Sequence, residues 1–355
     1  MVYGVVAEFN PFHNGHKYQL DMINKLNPSI KIALISGSYV QRGELSILSL
    51  ADKVKIALDM GYDVVAQIPD IYSIQNAEIY CSFSTRILEE LGANFQVFGA
   101  ETDKVEDIYK LIELVDSIDI KEYLEKGYSY NKSISLALAD MSKLYTSNNI
   151  LAMEYLKAIR KYGLNIRPVI IKRQHTGYND ENIVKEFASA SKIRELIANN
   201  KDFKHLVPYN HDPKYIYNYE DKMFSLFKYI FLTRNNKNIY DMSVDIHNVI
   251  KNKLSISNNY TDFIKNISKR NISISRIKRL ILNTLLNIQK EDIQKDEEIK
   301  NIKILGINEK GAKYIKNIKK ACVDYSKYEY DKKEFLILKD YLIGDEKFKK
   351  LIYRK

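Results

Sequence analysis

Between residues 2 and 171 the chain alternates short apolar runs with amphipathic stretches, and that alternation narrows its possible folds more than any other feature. The runs lie at 2–7, 31–35, 63–68, 95–98 and 167–171 and show little apolar–polar alternation. Strands of that kind are buried on both faces, as in a parallel sheet covered by helices. Helical spacing fills the intervals at 15–26, 48–60, 77–91, 104–114 and 149–162. The repetition predicts an α/β fold with a doubly wound, Rossmann-like parallel sheet.

The pattern changes near residue 205. Residues 214–232, 244–254, 260–267 and 275–288 keep helical spacing, broken by Asn- and Ser-rich loops, while strand runs fade. Residues 302–355 are rich in Lys and Tyr and read as mixed helix and short strand. The expected organisation is an α/β domain over 1–205 and a mostly helical, basic domain over 206–355, within the reach of a 355-residue chain.

Lys and Arg outnumber Asp and Glu by 55 to 45, for a net charge of +10. Such a balance favours polyanionic partners, nucleic acid first, because phosphate contacts release counterions. Evenly solvated lysines are the ordinary alternative, so the placement of charge decides. The charge is densest around Lys265, Lys269, Arg270, Arg276, Lys278 and Arg279, with Asp262 as the nearby acid. On a helix Arg276 and Arg279 share one face, and Ile277, Leu280 and Ile281 turn toward a core. This cluster is the candidate RNA surface, with Lys316, Lys319 and Lys320 as an extension. Cys81 and Cys322 are too few for a disulfide framework or a metal cluster, so no metal site is expected. No run approaches the roughly 20 apolar residues of a membrane span. With no signal-peptide pattern either, the expectation is a cytoplasmic protein without a membrane partner.

The first strand ends in VVAEFNPFHNGHKYQL, residues 5–20, where two of the chain's six histidines stand three apart around a glycine. In a doubly wound sheet this loop lies where ligands bind. Gly15 permits close backbone approach, and the following helix N-terminus attracts anions. Two imidazoles there can donate hydrogen bonds to a phosphate as its charge grows. By itself the pair reads better as a loop histidine pair that merely caps the helix.

FNPFHNGH resembles the His-x-Gly-His ATP loop of the nucleotidyltransferase superfamily, which implies that His13 and His16 contact ATP phosphates. FASASKIREL, residues 187–196, resembles the superfamily's second, Ser/Thr-rich loop. There Ser189 and Ser191 are expected to cap a helix and hold phosphate oxygens, and Arg194 to balance charge on departing pyrophosphate. His13, His16 and Arg194 are the candidate catalytic residues.

Further segments are similar to one family, the bacterial tRNA(Met) cytidine acetate ligases. They are the opening stretch, SGSYVQRGE at 36–44, VFGAE at 97–101, SNNILAMEYLKAI at 147–159, RNISISRIKRLILNTLL at 270–286 and KILGINEKG at 303–311. The resemblance implies ATP contacts at Ala7, Glu8, Phe9, Asn10, Pro11, Phe12, His13, Asn14, Gly15, His16, Lys17, Tyr18, Gln19 and Leu20. It adds Gly99, Asn148 (preferred over Asn149) and Arg173. With an RNA substrate, the basic cluster becomes the expected tRNA contact, at Lys269, Arg270, Arg276, Lys278 and Arg279, against the ordinary alternative of a solvated helix face. Arg42, beside Gln41, has no single assignment among phosphate, acetate and RNA.

The implied reaction joins ATP and acetate into acetyl-adenylate and acetylates the wobble cytidine of elongator tRNA(Met). Its products are 4-acetylcytidine, AMP and pyrophosphate, with Mg2+ expected alongside ATP and no acetyl-coenzyme A. Two other readings stand beside it: a nucleotidyltransferase adenylating a small metabolite, and a non-catalytic RNA-binding protein with a retained nucleotide site. A class I synthetase fits less well, having no room for its usual further parts. One departure from the family's pattern is Gln67, where an acid is usual.

Overall fold

The structure, a computed structural model, describes residues 1–173, 186–210, 213–268, 272–293, 298–330, 333–343 and 351–354. Among these the strands are β1 (Val2–Ala7), β2 (Ile30–Ser36), β3 (Tyr39–Val40), β4 (Glu44–Leu45), β5 (Val64–Ile68), β6 (Phe95–Ala100), β7 (Arg167–Lys172), β8 (Ile302–Asn308), β9 (Ala321–Cys322) and β10 (Ile352–Arg354). The first helices are α1 (Asn14–Asn24), α2 (Leu50–Met60), α3 (Asp70–Ser73), α4 (Ala77–Glu90), α5 (Val105–Ser117), α6 (Lys121–Glu125), α7 (Tyr130–Ala137) and α8 (Ser147–Tyr162). They are followed by α9 (Ala190–Ala198), α10 (Glu220–Thr233), α11 (Val244–Leu254), α12 (Tyr260–Ile267), α13 (Ile274–Leu285), α14 (Glu309–Ile315) and α15 (Lys333–Ile343).

The central strands run β5-β2-β1-β6-β7, all parallel. From β1 the chain builds outward to β2 and β5, then returns to place β6 and β7 on the other side. Strand order therefore reverses between β1 and β6, and the crevice beyond their carboxyl ends is the expected ligand position. Every residue of β5 is buried, Gln67 included, as its mostly apolar VVAQI run predicts. Helix starts follow local capping chemistry: Ser49 Oγ accepts from Asp52 N, and Ser273 Oγ from Arg276 N.

The tail behaves differently from the expected division. Strand β8 pairs antiparallel with β5, and β10 pairs parallel with β8, so residues far beyond 205 extend the α/β sheet. The helical segments also share one apolar core with a sheet face: Phe227, Phe263 and Leu280 belong to the cluster that holds Ile32 and Val64. The opposite face packs Phe12, Leu20, Val54, Ile193 and Leu206. An apolar run such as β8 specifies burial, but its partner across more than two hundred residues is set by which sheet edge is left unpaired. Among the described residues no helix is long and apolar enough to cross a membrane.

Candidate active site

Beyond β1 and β6 lies a cleft of about 260 Å³ lined from five directions. The β1 end supplies Ala7 to Asn10, α1 supplies His16 and Gln19, and the β3–β4 hairpin supplies Gln41 and Arg42. The ends of β6 and β7 bring Gly99 and Arg173, and the start of α9 brings Ser189 and Ser191.

His13 takes an extended backbone conformation and caps α1, its Nδ1 accepting from Gly15 N at 3.0 Å. In return, His13 N donates to His16 Nδ1 at 3.2 Å, a reciprocal capping box made of two imidazoles. The rings stack with centroids 3.9 Å apart. A Cβ at position 15 would lie 2.8 Å from His13 Cε1, so a glycine is what lets the ring fold over the helix end. Because each Nδ1 accepts a hydrogen bond, the neutral rings carry their proton on Nε2. Burial, then the charges of Arg173 and Arg194, push the His13 pKa down to about 3. Burial, His13 and Arg173 hold His16 well below the usual histidine range. The pair is neutral at physiological pH and offers two Nε2–H donors.

The remaining candidates divide into those at the cleft and those behind it. Asn10 is buried; its Oδ1 accepts from Ile47 N at 2.8 Å, while its Nδ2, on a cleft-lining residue, has no hydrogen-bond partner among the described residues. Glu8 lines the wall and accepts from Gln41 N at 2.9 Å, fixing the hairpin tip. Gly15, Tyr18 and Gln19 border the cleft. Pro11, Phe12 and Leu20 lie buried outside the lining, the Phe12 ring tilted against Phe9 with centroids 4.6 Å apart. Asn14 Nδ2 donates to the carbonyls of Glu186 and His205, and Lys17 pairs with Asp21. These five lie outside the cleft lining.

Asn148 and Asn149 separate cleanly. Asn149 is buried, with Oδ1 accepting from Glu101 N at 3.0 Å, a structural brace. Asn148 lines the cleft and donates to Glu101 Oε1 at 3.1 Å; Arg173 Nε lies 3.7 Å from the same oxygen. Burial lowers the pKa of Arg173 and of Arg42, but both guanidiniums stay charged and supply the cleft's positive potential. Ser189 Oγ caps α9 by accepting from Lys192 N and contacts Ser191 Oγ at 2.9 Å. Arg194, one turn on, donates from Nη1 to Asn10 O at 2.9 Å, joining the second loop to the first.

Gln67 is buried and contributes nothing to the cleft lining. Tyr80, Tyr155, Leu151 and Phe98 do line it. Sequence reasoning missed them because apolar and aromatic residues at helix or strand spacing carry the same signal as core.

Three of the basic candidates, Arg276, Lys278 and Lys320, are already paired with carboxylates. Arg276 makes a two-pronged pair with Asp241, at 2.9 and 2.6 Å, and Lys278 pairs with Glu44. Arg276 and Arg279 line a second cleft of about 720 Å³ against α4 and α8. Lys320 pairs with Glu90 and Glu298. Lys269 and Arg270 lie outside the described residues.

Residues 1–345 match the HIGH Nucleotidyl Transferase family model. The tRNA(Met) cytidine acetate ligase of Fusobacterium nucleatum is 35% identical over 347 residues, covering 90% of this chain and 85% of the relative. The ligase of the same name from Thermosipho africanus is 34% identical over 349 residues, covering 90% and 82%. The fold superposes on a crystal structure of apo Thermotoga maritima TmcAL with a TM-score of 0.84, at 26% identity and 100% coverage of both chains. It superposes on TmcAL bound with alpha-thio ATP with a TM-score of 0.78, at 28% identity over 96% of this chain and 92% of that one. The chain thus belongs to the HIGH nucleotidyl transferases and, within them, to the tRNA(Met) cytidine acetate ligase family.

Proposed function

We propose that this chain is an ATP-dependent ligase of the cytoplasm that acetylates the wobble cytidine of elongator tRNA(Met). The carrying observation is the pair of neutral, stacked imidazoles at the strand-order reversal, with their Nδ1 atoms occupied by backbone amides. A relative bearing the ligase name over 85% of its length, and a neighbour solved with an ATP analogue, support the substrate assignment.

In the first step an acetate oxygen attacks the α-phosphorus of ATP. The bond to the bridging oxygen breaks, and pyrophosphate leaves with the electron pair. His13 and His16 donate from Nε2 to phosphate oxygens where negative charge builds, in a cleft that also holds Arg42 and Arg173. Gly99 and Asn148 are the adenosine side, and Ser189, Ser191 and Arg194 the phosphate side. In the second step the cytidine exocyclic amine attacks the acetyl carbonyl, AMP departs, and the amine loses a proton. Activation at phosphorus makes a thioester such as acetyl-coenzyme A unnecessary, and positioning supplies much of the acceleration for so weak an amine.

Among the described residues no group of three or more His, Cys, Asp or Glu side chains is placed to hold a metal. Magnesium fits this site as a companion of the ATP phosphates, which is its usual mode of binding. It would offset phosphate charge there.

The decisive experiment incubates unmodified elongator tRNA(Met) with protein, ATP, magnesium and acetate, then digests the RNA to nucleosides. The reading requires 4-acetylcytidine that depends on all three small components. AMP transfer to a metabolite, or tRNA binding with no modified cytidine, would replace it.

A further inference from the structure

The β3–β4 hairpin stands between two parts of the molecule that a ligase must coordinate. Its tip, Gln41 and Arg42, lines the nucleotide cleft. Its other side lies on α13, the helix that carries Arg276, Lys278 and Arg279. Gly43 has φ +78°, and a Cβ there would sit 2.4 Å from Arg279 N and 2.5 Å from Lys278 C. Hairpin and helix backbones are thus in direct contact, an approach only glycine allows.

Glu44 follows. One carboxylate oxygen accepts from Lys278 Nζ on α13, and the other lies 3.9 Å from Arg194 Nη2 on α9. Arg194 in turn donates to Asn10 O in the first loop. Lys278, Arg194 and Arg42 together outweigh the burial that would raise this carboxyl, and hold its pKa below the ordinary range. Leu45 N donates to Tyr219 OH at 3.0 Å and Gln41 N to Glu8 Oε1, so the hairpin is fixed at both ends. A polar thread therefore runs from Lys278 through Glu44 and Arg194 to the His13 loop. It joins the candidate RNA helix to the candidate phosphate contacts.

We infer that Glu44 is a positioning residue that ties α13 to the nucleotide cleft, so that Lys278 helps set the placement of Arg194 and Arg42 around ATP. The inference rests on ATP occupying the first cleft, as in the proposed function. It assigns Lys278 a role in nucleotide binding although that residue lines no part of the nucleotide cleft. An RNA phosphate that draws Lys278 away would act on Arg194 through the same carboxylate, which makes the effect of RNA on ATP reciprocal with that of ATP on RNA.

The test is a double-mutant cycle on ATP affinity, measured by calorimetry without tRNA. Lys278→Met and Glu44→Gln should each weaken ATP binding by about fivefold, and the double variant by about the same fivefold because both break one thread. Lys278→Arg, which keeps the ion pair, should restore wild-type affinity; a helix merely loosened by loss of a lysine would not discriminate the two replacements. Wild-type affinity in folded Lys278→Met would overturn the inference. So would losses that multiply to about 25-fold in the double variant. If wild-type protein binds ATP but makes no 4-acetylcytidine, the acetylation reading fails while this cycle remains readable.

Discussion

The imidazoles of His13 and His16 stack at 3.9 Å, and each Nδ1 is occupied by a backbone amide of the same turn. One arrangement therefore does two jobs. It satisfies helix-end donors that would otherwise be orphaned, and it leaves the proton of each neutral ring on Nε2 as a donor. The cap and the chemistry can be separated by substitution.

His16→Ala should lower acetylation by at least about a hundredfold, the scale of losing a donor aimed at developing charge. Affinity for tRNA, measured by filter binding, should stay near the wild-type value. His13→Ala should also lose about 1 kcal/mol of stability with its cap, whereas His13→Asn keeps a capping side chain and loses only activity. Near-normal acetylation by His16→Ala would remove the phosphate role.

Acid sensitivity follows from the same pair. The His13 pKa falls to about 3 in the folded chain, against 6.5 for an ordinary histidine. As pH drops below 6.5 the unfolded chain takes up a proton that the folded chain refuses, so this stability is full above 6.5 and lost toward 3. His13→Asn should therefore lose about 1.4 kcal/mol less per pH unit than wild type between pH 6 and 4.5. Urea unfolding across that range gives the comparison.

Lys53 makes the opposite end of the pH range informative. It is fully buried on α2, with Nζ donating to the carbonyls of Ser36 at 3.2 Å and Gly37 at 2.9 Å. Burial is the main cause that brings its pKa down to about 7; Glu8 and Asp70 oppose the fall and Lys339 adds to it. The unfolded lysine holds its proton up to about 10.5, so stability is lowest below pH 7 and recovers as pH rises toward that value. Relative to Lys53→Met, wild type should gain about 1.4 kcal/mol per pH unit between pH 7 and 9. A flat difference would mean that Lys53 stays charged in the fold.

Arg276 and Arg279 line the larger cleft between α4, α8 and α13. Replacing both with alanine should weaken tRNA binding and reduce the slope of log affinity against log salt by about 2. ATP affinity should hold. Asp241→Asn releases Arg276 from its carboxylate and should strengthen tRNA binding, read in the same titration.

Strands β1, β2, β5 and β6 and the helices between them were legible because burial on two faces leaves a local mark, a mostly apolar run; β7 carries the same mark but is only half-buried, at the margin of the sheet. Ser189 as the α9 cap and Asn148 at the cleft were legible for a related reason, since capping chemistry and motif order are local too. Tyr80 and Tyr155 were not, because lining a cleft and filling a core use the same residues at the same spacing. The pairing of Arg276 with Asp241 and of Lys278 with Glu44 was hidden as well: a run of cations does not reveal carboxylates 35 or 234 residues away.

By itself the sequence determined the α/β repeat, the His13–His16 loop at the end of the first strand, and the family to which those motifs belong. Each depends on contacts within a few residues, or on an order of motifs that survives without coordinates. Tertiary structure alone decided that β8 and β10 extend the sheet, that α13 lies on the β3–β4 hairpin, and that Glu44 stands between Lys278 and Arg194. Those are long-range pairings, fixed by which sheet edge, apolar face and charge remain unsatisfied after the local structure has formed.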